Sequence, residues 1–227
     1  MNNILFIGLI SSFLLSQSIP FIRGVDISML DQVEDSGGMF YDNNIEIDPI
    51  YFFKSKGVNT VRLKIWHTPQ ISYNNLDRTL EMAERLKQSE LDFLLNFHYS
   101  DTWSDPSNQE KPSAWQDLSF ENLCDSIQQY SYHVITKLKD QNTLPNYVQI
   151  GNETDCGILW PDGYICEESN NEFQWDNLRA LFFHAIEGIN SALDVDDTLK
   201  IISHVSSGGI WFFENLMEQD IGIDFLG

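Results

Sequence analysis

The sequence is short of positive charge. Lys and Arg together number 13 against 34 Asp and Glu, a formal net charge of −21. Binding a polyanion depends on Lys and Arg neutralising negative charge, so nucleic acid, anionic membrane and pectic acid are poor partners, and a neutral or cationic ligand fits better. Phosphate loops are missing too. The first β-rich run, Gly24-Val25-Asp26-Ile27-Ser28, is not GxGxxG, and GxxxxGK[ST] occurs nowhere, which leaves a nucleotide cofactor without support. HExxH and DxDxDG are likewise absent. His98, Asp101 and Asp105 offer metal-ligating side chains, but the expectation is no metal and no other cofactor.

Cysteine is scarce and long apolar runs more so. Residues 4–15, ILFIGLISSFLL, are too short a run to cross a bilayer and precede Ser16-Gln17-Ser18, a small-x-small pattern. This predicts a secretory signal peptide over residues 1–18, a mature domain over 19–227 and a secreted protein. No later stretch reaches the roughly 18 uninterrupted apolar residues of a membrane helix, so no membrane contact is expected once the leader is removed. Of the three cysteines, Cys156 and Cys166 share a loop-like stretch and are expected to pair, as export favours. Cys124 falls in a helical pattern and is expected to be a buried free thiol.

With 227 residues, 42% hydrophobic and 13% aromatic, the chain has ample apolar material for one core. Short β-rich runs over 24–28, 59–66, 91–99, 147–153, 199–205 and 224–227 alternate with helical patterns over 47–56, 76–88, 120–139, 173–193 and 211–219. Such alternation predicts a parallel α/β architecture. Polar and aromatic residues gather where the strands finish, which favours a (β/α)8 TIM barrel, here incomplete with about six strands, over a doubly wound sheet.

The chemistry concentrates in two segments. In YVQIGNE an apolar strand ends in Asn152-Glu153. A carboxyl at the barrel mouth is partly desolvated, which raises its pKa toward values useful for donating a proton, and Asn152 beside it can bond a sugar hydroxyl. Satisfaction of Glu153 by a neighbouring Arg or Lys is the competing reading. In HYSDTWSDP, His98, Asp101 and Asp105 surround the Trp103 indole, a mixture that suits carbohydrate: the ring stacks on a sugar face while the polar groups bind hydroxyls. Turn and cap roles compete there. Of six tryptophans, Trp66, Trp103 and Trp160 follow strand ends and are the candidate platforms, whereas Trp175 and Trp211 lie in helical patterns and are expected to be packed. Arg62 either holds a carboxylate ionised or belongs to a buried ion pair. His204 ends the fifth strand.

GVDIS at Asp26, NTVRLKIW over 59–66, NFHYSDTWSDP over 96–106 and VQIGNETDCGILWPDG over 148–163 together resemble the arabinogalactan endo-β-1,4-galactanases of glycoside hydrolase family 53. The resemblance runs from about residue 23 to residue 227. It implies a (β/α)8 barrel of a retaining clan acting on a neutral polysaccharide, β-1,4-galactan, with Glu153 as proton donor. It further implies that Asp26, Arg62, His98, Asp105 and Asn152 shape or line the cleft; Trp103, Trp160 and His204 join them as candidate binding residues. Lys64, His67 and Thr154-Asp155-Cys156 depart from the family's usual pattern. The resemblance sets the nucleophilic Glu at the end of a seventh strand, so none is expected in this chain. Asn152-Glu153-Thr154 is an N-x-T sequon, expected to stay unmodified because Asn152 is buried. Two other readings remain: a non-catalytic galactan-binding barrel, and another clan member acting on mannan or glucan.

Overall fold

The computed structural model describes residues 21–166, 172–207, 209–218 and 221–227. The expected leader, 1–18, lies outside them. Six parallel strands form the main sheet: β1 (Gly24–Asp26), β4 (Thr60–Ile65), β5 (Asp92–Phe97), β6 (Tyr147–Ile150), β9 (Lys200–Ser203) and β10 (Phe225–Leu226). They lie side by side in chain order. A doubly wound sheet would reverse direction at a switch point. Unbroken order with right-handed crossovers instead puts every helix on one side, as in a (β/α) barrel.

The helices start where the sequence supplies caps. Asp48 accepts from the Ile50 and Tyr51 amides ahead of α2 (Pro49–Ser55), Asn75 from Arg78 ahead of α3 (Leu76–Gln88), and Ser119 from Asn122 ahead of α4 (Phe120–Asp140). Each satisfies an amide that the first helical turn leaves unpaired. In α3, Met82, Ala83 and Leu86 are buried, and in α4 Leu123, Ile127, Val134, Ile135 and Leu138, the 3.6-residue stripe of a helix lying on a sheet. α5 (Glu172–Ser191) and α6 (Gly209–Leu216) continue the series. Gly188 lets α5 approach α4, since a Cβ there would sit 2.2 Å from the Gln128 carbonyl.

Five elements lie outside the expected strands and helices: α1 (Leu30–Asp35), the hairpin of β2 (Phe40–Asp42) with β3 (Ile45–Ile47), and the hairpin of β7 (Gly157–Ile158) with β8 (Gly163–Tyr164). The strands are also shorter than expected. β6 stops at Ile150 because Gly151 turns with φ +73° and Glu153 follows at φ +51°, so Glu153 stands on a turn beyond the strand. Trp175 is buried as expected, but Trp211 is 44% exposed, resting edge-on against it at 5.3 Å between ring centroids. Among the described residues no helix is long and apolar enough to cross a membrane.

The register sorts each strand's side chains by face. Asp26 pairs with Arg62 across β1 and β4; Lys64, Asn96, Gln149 and Ile202 follow one another across β4, β5, β6 and β9. Alternating with them, Val61, Leu63, Ile65, Phe93, Leu95, Phe97, Val148, Ile150 and Ile201 join the helices in one buried core. One face is apolar; the other carries Arg62, Lys64, Asn96 and Gln149.

Candidate active site

The polar face converges toward the strands' C-terminal ends. The Asp26 Oδ2 accepts from Arg62 Nε at 2.7 Å, and Arg62 donates onward to Gln149 Oε1 at 3.2 Å and Asn152 Oδ1 at 3.3 Å. Burial pushes the Asp26 carboxyl up, but bonds from the Ser28 hydroxyl and amide and from Arg62 outweigh it and hold the group below the usual carboxylate range. Asp26 is therefore ionised and spoken for. Asn96 donates to Asn152 Oδ1 at 3.2 Å, and Gln149 donates to Asn96 Oδ1 at 3.0 Å. Asn152 Nδ2 donates to the Ser104 carbonyl at 2.8 Å. With no exposed surface and its amide engaged on both atoms, Asn152 braces the site and offers no surface for glycan attachment.

Glu153 differs from its neighbours. Its backbone is gripped from both sides: the N–H donates to His204 Nδ1 at 3.1 Å, and the carbonyl accepts from Gln109 Nε2 at 3.2 Å. The same Gln109 nitrogen reaches the Asn152 carbonyl at 2.8 Å and the Asp105 carbonyl at 3.1 Å. His204 in turn accepts on its carbonyl from the Thr154 amide and hydroxyl, both at 2.9 Å. Among the described residues no Lys, Arg or His pairs with the Glu153 carboxylate. A non-glycine residue at positive φ persists only where its surroundings hold it; Gln109 and His204 do so here. The turn is tight: a Cβ on Gly151 would lie 2.3 Å from Thr154 Cγ2.

His98 is buried and its Nδ1 accepts from the Ser104 amide at 3.1 Å. Burial, reinforced by Lys64 and Arg62, pushes its pKa down to about 3. The ring is thus neutral with its proton on Nε2, an atom buried without a hydrogen-bond partner among the described residues. Trp66 and Trp103 meet the ring edge-on, centroids 6.4 and 5.3 Å away. Burial lowers the His204 pKa as well, with Arg62 adding to it, which keeps its Nδ1 an acceptor for Glu153.

Trp103 is 43% exposed and presents a ring to solvent. The Lys64 ammonium lies over it at 5.0 Å and over Trp66 at 5.3 Å. The Trp160 indole N–H donates to the Cys156 carbonyl, and its ring stands edge-on to Tyr164, anchoring the loop closed by the Cys156–Cys166 disulfide. Cys124 is free and buried. Asp105 turns inward on its own loop, its Oδ1 accepting from the Ser107 amide at 2.8 Å and hydroxyl at 2.6 Å. Asp101 and Asp155 are likewise engaged, Asp101 by Thr68 and Ser113, Asp155 by Ser206 and Ser207. No cluster of three metal-ligating side chains occurs among the described residues. Sequence reasoning passed over Asn96, Gln149 and Gln109. Lone amides between large apolar residues, as in Leu95-Asn96-Phe97 and Val148-Gln149-Ile150, were the available signal for the first two.

A sequential parallel sheet with one buried polar layer gathered at its strand ends defines a (β/α)8-type barrel, incomplete at six strands, whose site lies on the loop face. The chain belongs to glycosyl hydrolase family 53, whose sequence profile matches residues 22–227. It is 40% identical over 191 residues to an uncharacterized protein in the bgaB 5′ region of Niallia circulans, covering 83% of this chain and 51% of that protein. It is 35% identical over 195 residues to an arabinogalactan endo-beta-1,4-galactanase of Thermothelomyces thermophilus, covering 85% of this chain and 56% of that one. The chain thus spans about half the length of these curated relatives. The solved GH53 catalytic domain of Ignisphaera aggregans superposes with a TM-score of 0.80 at 32% identity, over 92% of this chain and 60% of that one.

Proposed function

We propose that this chain carries the proton-donor half of a secreted endo-β-1,4-galactanase, with Glu153 as the acid that protonates the departing glycosidic oxygen. The observation that carries the reading is the state of Glu153: a carboxylate without an ion-pair partner among the described residues, on a backbone held at positive φ by Gln109 and His204. The names of the galactanase relatives supply the substrate class. Trp103 provides an exposed ring for a sugar face, and the −21 charge suits a neutral glycan over a pectic one. The Cys156–Cys166 bond supports an oxidising compartment, in line with the expected leader.

Retaining hydrolysis needs two carboxyls about 5–5.5 Å apart, one attacking the anomeric carbon while the other donates the proton and later activates water. Asp26, Asp101, Asp105 and Asp155 are each committed to other partners. The attacking carboxylate is therefore assigned to a further strand of the barrel, as the family resemblance implies. That commitment also favours a second reading, galactan binding without cleavage.

The deciding experiment is reducing-sugar release from β-1,4-galactan by the protein and by Glu153→Gln, beside a binding assay and parallel assays on β-mannan and β-glucan. Galactan-selective release lost in Glu153→Gln supports the enzyme. Binding without release selects the second reading, and release from mannan or glucan alone overturns the substrate.

A further inference from the structure

Beside the site, and outside the network around Glu153, the loops after β4 and β5 flank a solvent-open cavity of about 580 Å³, within the roughly 300–1,000 Å³ of small-molecule clefts. Its walls are tied together. Asp101 accepts from the Thr68 amide at 2.9 Å on one side and from the Ser113 amide at 2.9 Å and hydroxyl at 2.7 Å on the other. Lys111, another lining residue with 9% of its side chain exposed, is fixed as well, since it pairs with Asp162 at 2.8 Å. A cleft braced in this way has already met much of the ordering cost of binding.

The lining is mixed. Trp66 and the half-exposed Ile71 supply apolar surface, while Gln70, Thr102 and Glu110 supply polar groups. Among the described residues the side chains of Gln70 and Glu110 make no hydrogen bond or ion pair, so their donors and acceptors are available to a ligand. One wall of the cavity is linked to the turn that carries the acid. Glu110 bridges to Trp160, whose amide donates to the Gln109 carbonyl at 2.8 Å, and the Gln109 side chain holds the Glu153 carbonyl.

The geometry points to this cavity as an outlying saccharide subsite that seats a neutral galactosyl unit of the chain whose scissile bond lies at Glu153. A pyranose has an apolar C–H face for Trp66 and Ile71, and hydroxyls for Glu110 and Gln70 to bind. A carboxylate and an amide suit hydroxyl donors, whereas a uronic acid would meet Glu110 as a like charge. The assignment rests on the galactan reading above and deepens it.

The test is calorimetric titration of Glu153→Gln, which blocks turnover, with β-1,4-galactobiose through β-1,4-galactohexaose, repeated in the same background with Gln70→Ala and Glu110→Ala added. The expected result is unchanged affinity for the disaccharide and a loss of about tenfold for the hexasaccharide, largely restored when Glu110→Gln replaces Glu110→Ala. Equal loss at every length would mean a general distortion, and no loss at any length would mean an empty cavity; either overturns the subsite while leaving the galactan reading intact. Failure of the parent protein to bind any of these oligosaccharides would overturn both.

Discussion

The two faces of the sheet do different work with the same backbone. On the helix side, Val61, Ile65, Leu95, Phe97, Val148 and Ile150 have no exposed surface and belong to the one hydrophobic core. Across the pleat, at alternate positions of those strands, stand Arg62, Lys64, Asn96 and Gln149, and there the hydrogen bonds run side chain to side chain. Period-2 alternation thus separates the residues that stabilise the barrel from those that shape its site. The sharpest way to break this division is to delete apolar volume on the helix side: Leu95→Ala should cost about 2–5 kcal/mol, the range for emptying a packed core site. Urea unfolding measures it. A smaller loss than that of any inner-face variant would mean the faces do not divide the labour as described.

The next effect comes from the polar face and depends on pH. His98 has a folded pKa of about 3 against an ordinary value of 6.5, so on acidification the unfolded chain takes up the proton first. Stability is full above the ordinary value and falls as pH drops toward the folded one. Between pH 7 and pH 4.5, above most carboxylate titrations, the loss is about 2.5 kcal/mol at 1.36 kcal/mol per unit. His98→Asn keeps an acceptor for the Ser104 amide without the titration and should flatten that slope. An equally steep profile would place the acid sensitivity elsewhere, with His204 the first candidate because burial lowers its pKa in the same sense.

Removing one amide from the loop that holds the site should cost less. Gln109→Leu leaves the Asp105, Asn152 and Glu153 carbonyls without their shared donor, a loss of about 1–3 kcal/mol for buried groups left unpaired. Hydrogen exchange locates the damage: faster exchange confined to residues 151–154 is expected, and faster exchange spread through the strands would show that Gln109 supports the core instead.

How much of this was legible depends on how local the cause is. The helix over 76–88 was readable to the residue because its Asn75 cap and its apolar stripe are both written in adjacent sequence. Strand order followed from alternation of periods, and the pairing of Cys156 with Cys166 from their shared loop. The segment between β1 and α2 was not readable. Its hairpin turns on Asn43 and Asn44, both at positive φ, the backbone of a tight two-residue loop, yet its strands have only three residues each. Within the site, Glu153 and His98 were visible because a charged or titratable group after an apolar run needs an explanation. Gln149 and Asn96 acquire meaning only through Arg62 and Asn152, 87 and 56 residues away in sequence, and that proximity exists only after the sheet has formed.

Asp105 gives the finest test of where the site ends. The resemblance draws it into the cleft, while the structure gives its carboxylate to the Ser107 amide and hydroxyl, bonds that hold its pKa below the usual range. Those are the bonds of an Asx turn, which orders a loop locally. If that is its whole role, Asp105→Asn, which retains a side-chain acceptor, should change stability by less than about 1 kcal/mol and leave galacto-oligosaccharide affinity within twofold. A tenfold fall in affinity at unchanged stability would instead place the Asp105 carboxylate against the sugar and move the edge of the polar layer outward by one loop. The contrast works because the inner layer is continuous: Asn152 reaches the Ser104 carbonyl and Gln109 reaches that of Asp105, so the loop is already held to the site through its backbone, and the Asp105 side chain is not required to hold it there.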